Sequence, residues 1–184
     1  MEVIETGIKG LLVLQPKVFT DNRGYFCELY NEKIYKKLGI IQDFCQENLS
    51  TSTYGVIRGL HFQKDPYCQA KLATVIEGAV FDVAVDLRKD SPTFGKWYGV
   101  ELTAEKKNQF LIPRGFAHGF SVLSETAIFT YKCDNFYTPS AEGGIRFDDP
   151  DLNIDWRIPK DKMIISDKDM VRPCLKECGC EFRQ

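Results

Sequence analysis

The two histidines of this chain lie in two distinctive segments, Arg58-Gly-Leu-His-Phe-Gln63 and Ile112-Pro-Arg-Gly-Phe-Ala-His-Gly-Phe120. Histidine titrates near neutral pH and is the usual proton carrier of enzymes, so His61 and His118 are the candidates for that role. The chain has no G-x-G-x-x-G motif after a strand, no Walker loop and no G-x-S-x-G elbow. What remains is acid–base chemistry by histidine, tyrosine and lysine, which is typical of proton abstraction beside a carbonyl group.

A metal centre is disfavoured by the ligands on offer. Pro113-Arg-Gly-Phe-Ala-His118 has the spacing of the second motif of cupin barrels, where the histidine often binds a metal. Such a site commonly also needs an H-x-H pair and a glutamate, and this chain has only one further histidine. Cys174, Cys178 and Cys180 lack the paired C-x-x-C spacing of zinc sites. We therefore expect no metal, and we interpret the three cysteines as incidental.

Length and composition limit the remaining classes of protein. The 184 residues, 43% of them hydrophobic, predict one domain, 1–184, with a C-terminal tail from about 170 to 184. A net charge of -2 gives no general attraction to nucleic acid or to anionic membranes. No apolar run approaches the ~20 residues that span a bilayer, and the acidic N-terminus is unlike a secretory signal. We expect a cytoplasmic protein whose seven scattered cysteines are reduced thiols.

Short strands separated by turns must position these residues. In segment 79–86, Phe81, Val83 and Val85 share one face, and Asp82 and Asp86 share the other. Turn residues predict two hairpins: strand 72–76 with strand 79–86, turning at Glu77-Gly78, and segment 119–132, turning at Ser124-Glu125.

One short peripheral helix is predicted, capped by Asn31 and ended by Gly39, with Ile34 and Leu38 as its apolar stripe. Many short strands and almost no helix favour a jelly-roll barrel or sandwich, whose interior can hold a small ligand. On the return strand of the second hairpin, Tyr131 shares a face with apolar residues, so its hydroxyl should project from an interior surface.

Several segments in order resemble the dTDP-4-dehydrorhamnose 3,5-epimerase family. They are Arg58-Gly-Leu-His-Phe-Gln63, Phe81-Asp-Val-Ala-Val-Asp-Leu-Arg-Lys-Asp-Ser-Pro-Thr-Phe-Gly95, Ile112-Pro-Arg-Gly-Phe-Ala-His-Gly-Phe120, Tyr131-Lys-Cys133 and Ser166-Asp-Lys-Asp169. The similarity runs from about Pro16 to Asp169 and covers nearly the whole domain. Motifs of this length are specific for the superfamily and less specific for the substrate.

The resemblance implies a mainly β, cupin-like jelly-roll barrel with a few short peripheral helices, a homodimer, no cofactor, and a nucleotide-linked 4-keto-6-deoxyhexose as substrate. It makes His61 the general base, Tyr131 the general acid and Asp169 the carboxylate that pairs with the base. Lys71 and His118 would stabilise the enolate oxygen and steady the sugar. The residues that would bind the nucleotide are Arg23, Glu28, Gln46, Asn48, Arg58, Glu142 and Lys168.

The resemblance conflicts with regular strand geometry at one place. In a regular strand Arg58 and His61 point to opposite faces, yet both are expected at the substrate. Gly59 lies between them and would permit a bulge that resets the alternation, so we predict an irregularity there.

Strand alternation also assigns the faces of segment 46–48. Gln46 and Asn48 should share a face, with Glu47 pointing away from both. Asp82 belongs to the most recognisable segment, but we interpret it as structural rather than catalytic.

The implied reaction converts dTDP-4-dehydro-6-deoxy-D-glucose to dTDP-4-dehydro-L-rhamnose. A C4 ketone acidifies the hydrogens on C3 and C5, because the carbanion delocalises into an enolate. Inversion removes a proton from one face and returns one to the other, which requires a base and a separate acid. Three alternatives stay open: an enzyme that inverts only C3 or only C5, one that acts on another nucleotide-linked 4-keto sugar, and a non-catalytic sugar-binding cupin.

Overall fold

The computed structural model describes residues 1–179 and Phe182. Its strands are β1 (Glu2–Glu5), β2 (Leu12–Gln15), β3 (Val18–Asp21), β4 (Gly24–Cys27), β5 (Gln46–Thr53), β6 (Val56–Gln63), β7 (Lys71–Glu77), β8 (Ala79–Asp86), β9 (Trp97–Thr103), β10 (Gln109–Ile112), β11 (Phe116–Val122), β12 (Thr126–Cys133), β13 (Glu142–Gly144) and β14 (Ile164–Ile165). The α-helices are α1 (Glu32–Lys37) and α2 (Asp167–Met170), and single 3₁₀ turns lie at Pro139–Ala141, Lys160–Lys162 and Leu175–Glu177. No helix in this described part of the chain is long and apolar enough to cross a membrane.

The strands form two large sheets and one small ribbon. The front sheet has the antiparallel order β1-β2-β10-β7-β12-β5. The back sheet has the order β13-β6-β11-β8-β9, with β14 added parallel to β6. Strands β3 and β4 pair only with each other and make a separate two-stranded ribbon. The predicted mainly β, cupin-like jelly roll with few short helices is confirmed.

Both predicted hairpins are wrong, because the two strands of each belong to different sheets. β7 pairs with β10 and β12 in the front sheet, whereas β8 pairs with β9 and β11 in the back sheet. β11 and β12 are divided in the same way. The two connections are corners that pack on each other, and the Ser124 hydroxyl accepts a hydrogen bond from the Ala79 N–H at 2.9 Å. A turn residue such as Gly78, with a φ of 77°, is compatible with a connection between two sheets as well as with a hairpin within one sheet.

Aromatic side chains fill the space between the sheets. Phe120 on β11 and Phe129 on β12 stack with ring centroids 4.3 Å apart, so one ring from each sheet meets in the core. A second apolar cluster, which includes Leu60, Phe62 and Trp156, covers the outer face of the back sheet. Burial of each such side chain stabilises the fold by about 2 kcal/mol. The back sheet is thus buried on both faces, which makes it a rigid support for side chains that point inward.

Helix α1 begins and ends as predicted, but its buried face differs. The side-chain oxygen of Asn31 accepts hydrogen bonds from the backbone N–H groups of Lys33 and Ile34, and Gly39 has a φ of 79°. The predicted apolar stripe is wrong, because Ile34 is 38% exposed and Tyr35 is 2% exposed. A helix of six residues buries one large side chain, and the tyrosine also gains a hydrogen bond from its hydroxyl to the Leu29 carbonyl at 2.8 Å.

The cysteines depart from expectation at one position. Five are free thiols: Cys27, Cys45, Cys68, Cys133 and Cys174. Cys178 is disulfide-bonded, so the prediction that all the thiols are reduced is wrong there. Spacing along the sequence does not show which thiols meet in space. Cys180 lies outside the described residues.

Candidate active site

A cavity of about 550 Å³ is lined by both sheets and by the C-terminal segment. The front sheet contributes Asn48, Lys71 and Tyr131, and the back sheet contributes Arg58, His61, His118 and Glu142. The segment that contains α2 contributes Lys168 and Asp169. The structure therefore brings together the predicted catalytic residues and most of the predicted binding residues.

His61 and Asp169 form a hydrogen-bonded pair at the wall of this cavity. Nε2 of His61 lies 2.6 Å from Oδ1 of Asp169, and the backbone N–H of Gly59 lies 3.5 Å from Oδ2. Burial alone would raise the pKa of Asp169, but the hydrogen bonds from His61, Gly59 and Ser166 outweigh it and hold that pKa below its usual value. The ionised carboxylate can only accept a hydrogen bond, so Nε2 of His61 carries the hydrogen of this pair and Nδ1 is the ring nitrogen that Asp169 leaves free.

The predicted irregularity at Gly59 is confirmed. His61 lies opposite His118, whereas Arg58 lies opposite Phe120, so the pairing of β6 with β11 shifts register between these points. Gly59 has a φ of 124°, and a Cβ atom there would lie 2.5 Å from the Cα of Gly119. The glycine permits a bulge that turns Arg58 and His61 toward the same cavity.

A second imidazole–carboxylate pair lies beside the first. Nε2 of His118 lies 2.6 Å from Oδ1 of Asp82, and Nδ1 of the same ring lies 3.5 Å from Nζ of Lys71. Burial lowers the pKa of His118, against the attraction of Asp82, and it also lowers the pKa of Lys71. The ring is therefore neutral, with Nε2–H donated to Asp82 and Nδ1 available as an acceptor for Lys71.

Sequence reasoning missed the contribution of Asp82. The alternation in β8 puts Asp82 opposite to Phe81 and Val83, and this opposite face is the barrel interior. A lone carboxylate that points into the core needs a partner. That requirement was the signal that could have linked it to one of two histidines.

Tyr131 reaches the cavity from the front sheet. It shares a face with Ala127 and Phe129, as predicted, and the Nζ of Lys71 lies 5.4 Å from its ring centroid. Burial raises the pKa of Tyr131, against hydrogen bonding to Asn48 and the charge of Arg58. The phenol therefore keeps its proton at neutral pH, and it faces the cavity from the sheet opposite to the one that carries His61.

Glu142 is the centre of a cluster of hydrogen-bond donors. It accepts hydrogen bonds from Lys168 Nζ at 2.7 Å, from the Tyr137 hydroxyl at 2.6 Å and from Arg172 Nη2. Burial alone would raise its pKa, but these three donors lower it to about 2. Tyr137 and Arg172 were not predicted, because neither lies within a recognisable motif.

Strand β5 has the predicted faces. The side-chain amide of Gln46 donates to Oδ1 of Asn48 at 3.0 Å. Glu47 points away from both and accepts from Lys132 Nζ at 2.7 Å. The two amides are thus placed side by side, with donors and acceptors for a polar ring such as a nucleobase.

Three predicted binding residues, Arg23, Glu28 and Gln46, do not line the cavity. Gln46 is hydrogen-bonded to Asn48, which does line it. Arg23 lies on the β3–β4 ribbon with its side chain 86% exposed, and it pairs with Asp21. Glu28 follows this ribbon and accepts a hydrogen bond from Asn31 at 3.1 Å. The ribbon exposes three large aromatic side chains, Phe19 at 53%, Tyr25 at 61% and Phe26 at 69%. Across the described residues, no group of three or more His, Cys, Asp or Glu side chains could hold a metal ion.

Known proteins match this chain over nearly its full length. The family model described as dTDP-4-dehydrorhamnose 3,5-epimerase matches residues 5–177. A curated protein of that name from Shigella flexneri is 53% identical over 171 residues, which cover 92% of this chain and 93% of that one. A crystal structure of the enzyme from Elizabethkingia anophelis is 56% identical, has a TM-score of 0.93, and covers 96% of this chain and 97% of its own. A Legionella pneumophila epimerase solved with dTDP-4-keto-L-rhamnose is 45% identical, with a TM-score of 0.95 and coverage of 100% and 98%.

Proposed function

Because the chain belongs to the dTDP-4-dehydrorhamnose 3,5-epimerase family, we propose that it converts dTDP-4-dehydro-6-deoxy-D-glucose to dTDP-4-dehydro-L-rhamnose. One observation carries the proposal: the imidazole of His61 and the phenol of Tyr131 line a single cavity from opposite sheets. A pyranose between these walls has a base on one face and an acid on the other. That is the arrangement that inversion at C3 and C5 requires.

His61 is the general base of this mechanism. Its Nδ1 removes the hydrogen from the carbon beside the C4 ketone, and the electron pair moves into the carbonyl to form an enolate. Both ring nitrogens then carry hydrogen, and the negative charge of Asp169 stabilises the imidazolium through the 2.6 Å contact with Nε2. The pair works at C3 and C5 in turn, because the same ketone acidifies both positions.

Lys71 and His118 stabilise the enolate oxygen. The carboxylate of Asp82 holds the hydrogen of His118 on Nε2, so Nδ1 can accept from Lys71 and orient the ammonium group. A positive charge held in a largely buried site stabilises the developing negative charge more than it would in water.

Tyr131 is the general acid. Its raised pKa keeps the hydroxyl protonated until the enolate forms, and the nearby Lys71 ammonium favours the phenolate that remains after donation. Donation from the front sheet returns a proton to the face opposite the one that His61 has deprotonated.

The nucleotide binds at the open side of the same cavity. Arg58 and Lys168 supply positive charge for the pyrophosphate, and the planar guanidinium can contact two phosphate oxygens at once. Gln46 and Asn48 contact the base or the ribose. Glu142 holds Lys168 in position through their 2.7 Å hydrogen bond.

The proposal includes a homodimer in which Arg23 and Glu28 serve the cavity of the second copy. Two observations support it: neither residue lines its own cavity, and the β3–β4 ribbon, which contains Arg23 and precedes Glu28, exposes three aromatic side chains. Such exposed apolar surface is typical of an interface. A cytoplasmic location and a single domain of residues 1–184 are also part of the proposal.

Mixing two inactive variants tests the exchange of the ribbon. Arg23→Ala and His61→Ala protomers, each inactive alone, should recover up to half of the wild-type activity per mixed dimer, because one cavity then has both residues. If Arg23 serves its own cavity, every mixed dimer has two damaged sites and no activity returns. Light scattering that gives a monomer near 21.1 kDa would contradict the dimer itself.

Incubation with dTDP-4-dehydro-6-deoxy-D-glucose in deuterium oxide tests the reaction. We expect deuterium at C3 and C5 of the product by NMR, together with inversion at both carbons. Label and inversion at one carbon only would make the protein a mono-epimerase. A panel of other nucleotide-linked 4-keto sugars tests the substrate, and absence of label from all of them would favour a non-catalytic sugar-binding protein.

A further inference from the structure

Arg172 follows α2 and lies between the two carboxylates of the cavity wall. Its Nη2 donates to Oε1 of Glu142. Its Nε lies 3.9 Å from Oδ1 of Asp169, the same oxygen that accepts the hydrogen bond from His61. The Arg172 side chain is 14% exposed, so its charge acts on both carboxylates with little screening by water.

The surrounding backbone makes room for this guanidinium. A Cβ atom on Gly144 would lie 2.8 Å from Nε of Arg172 and 2.9 Å from its Cδ. The next residue along, Pro173, accepts a hydrogen bond from the Arg146 N–H at 2.9 Å, which ties the segment to the end of β13. Among the described residues, Nε is a buried donor without a hydrogen-bond partner, and the Asp169 carboxylate lies 3.9 Å from it. A donor in that state attracts an acceptor oxygen.

We propose that Arg172 is a positioning residue, which holds the Asp169 carboxylate against His61 and limits how strongly that carboxylate raises the basicity of the imidazole. The inference rests on the proposed function, in which His61 is the base. A base must be unprotonated near neutral pH, and an unopposed carboxylate at 2.6 Å favours the protonated ring. The fixed positive charge of Arg172, 3.9 Å from the same carboxylate oxygen, opposes that effect.

The other charged groups around His61 do not replace this effect. His118 on β11 is neutral because burial lowers its pKa. Arg58 and Lys71 line other walls of the cavity, and Glu142 is already paired with Lys168 and Arg172. Arg172 is the cation that the structure places within 4 Å of Asp169 among the described side chains.

Arg172→Gln tests the proposal, with Arg146→Gln as the matched control. Arg146 forms a similar arginine–carboxylate pair with Asp148 at 2.6 Å, away from the cavity. We expect Arg172→Gln to lower kcat at neutral pH about tenfold, with KM within about twofold of wild type. The pKa of His61, followed by NMR on a chain with two histidines, should rise by about one unit. The acid limb of the pH profile should move upward with it.

Arg172→Lys keeps the charge and loses the planar fork. This variant should leave the pKa of His61 near its wild-type value and should retain part of the kcat that Arg172→Gln loses. It is also the second test of the proposal if Arg172→Gln does not fold. The proposal is overturned if the pKa of His61 and kcat in the folded variants match those of Arg146→Gln, or if only KM changes. The titration needs no substrate, so it decides the role of Arg172 even if the proposed epimerase reaction fails.

Discussion

Two histidine–aspartate pairs lie side by side on the back sheet with the same contact and different surroundings. In each, Nε2 lies 2.6 Å from a carboxylate oxygen. The His61 side chain is 35% exposed and the His118 side chain is 5% exposed. Asp169 comes from a short helix at the cavity wall, whereas Asp82 comes from the middle of β8. In the proposed mechanism, the same geometry therefore serves two roles: His61 is a proton carrier that a ligand can reach, and His118 is a neutral ring that orients Lys71.

Exposure, rather than the hydrogen bond, separates the two roles. Burial opposes the charged form of His118 more strongly than Asp82 favours it, which lowers the pKa of this ring. A ring whose charged form is disfavoured is less suited to taking a proton from carbon. The His61 ring, by contrast, lines the cavity and is accessible to water.

The largest expected effect is the loss of the accessible ring. His61→Ala should lower kcat by about four orders of magnitude and abolish deuterium uptake at both C3 and C5, because no other neutral group replaces the base. His118→Ala should cost about a hundredfold in kcat and still allow deuterium uptake. A greater loss in His118→Ala than in His61→Ala, measured on folded proteins, would reverse the two roles.

Tyr131→Phe should separate proton removal from proton return. We expect kcat to fall about a thousandfold, because the acid on the opposite wall is lost while the base remains. His61 can still remove a hydrogen and return deuterium to the same face. NMR of recovered substrate in deuterium oxide should therefore show label without inversion, and recovered substrate free of label would contradict this division of work.

Asp169→Asn weakens the support of the accessible ring. We expect kcat to fall about thirtyfold, because the imidazolium loses its counter-charge. The acid limb of the pH profile should move to lower pH, since the imidazolium is less stabilised. An acid limb that stays in place in the folded variant would show that Asp169 does not act on the base.

Asp82→Asn should have a smaller effect on kcat, about fivefold, because an asparagine can still accept the hydrogen from Nε2 of His118. Its larger effect is on the fold. The change should lower the free energy of unfolding by about 2 kcal/mol, because a buried charged partner of Lys71 and His118 is lost. Denaturant unfolding of Asp82→Asn and Asp169→Asn measures the free energy of unfolding that each variant loses. Equal losses in the two variants would contradict the larger structural role of Asp82.

The smallest effect is a dependence of stability on pH. The pKa of His118 is lower in the folded state than its ordinary value of 6.5, so the unfolded chain binds more protons as the pH falls below that value. Folded stability is therefore complete above 6.5 and decreases below it. The free energy of unfolding, measured between pH 7.5 and 5.5 and so above the titration range of Glu142, should decrease as the pH falls in the wild type. The same decrease should be absent from His118→Ala.

The bulge at Gly59 was predictable, because a glycine between two residues that need the same face leaves few other solutions. The helix cap at Asn31 and the faces of Gln46 and Asn48 follow in the same way from local chemistry. The bulge follows from the resemblance, which requires Arg58 and His61 at one cavity, whereas for the helix cap and the strand faces the deciding contacts lie within a few residues along the chain. Such contacts are those that a single sequence displays.

The errors concern contacts between distant segments. Glu77-Gly78 turns the chain whether the next strand pairs with the last one or crosses to the facing sheet. The role of Asp82 depends on which face of β8 points into the barrel, and this cannot be read from β8 alone. The pairing of Arg172 with Glu142 joins segments that are 30 residues apart. Arg23 and Glu28, which we propose serve the cavity of a second copy, carry no local sign of that role.

The aromatic stack between the sheets also affects the separation between His61 on the back sheet and Tyr131 on the front sheet. Phe120 belongs to the strand beside His61, and Phe129 belongs to the strand of Tyr131 two residues away. In the proposed mechanism, the thickness of two stacked rings therefore sets the space available to a sugar between His61 and Tyr131. A smaller side chain in the stack should bring the two walls closer without a change in any polar group.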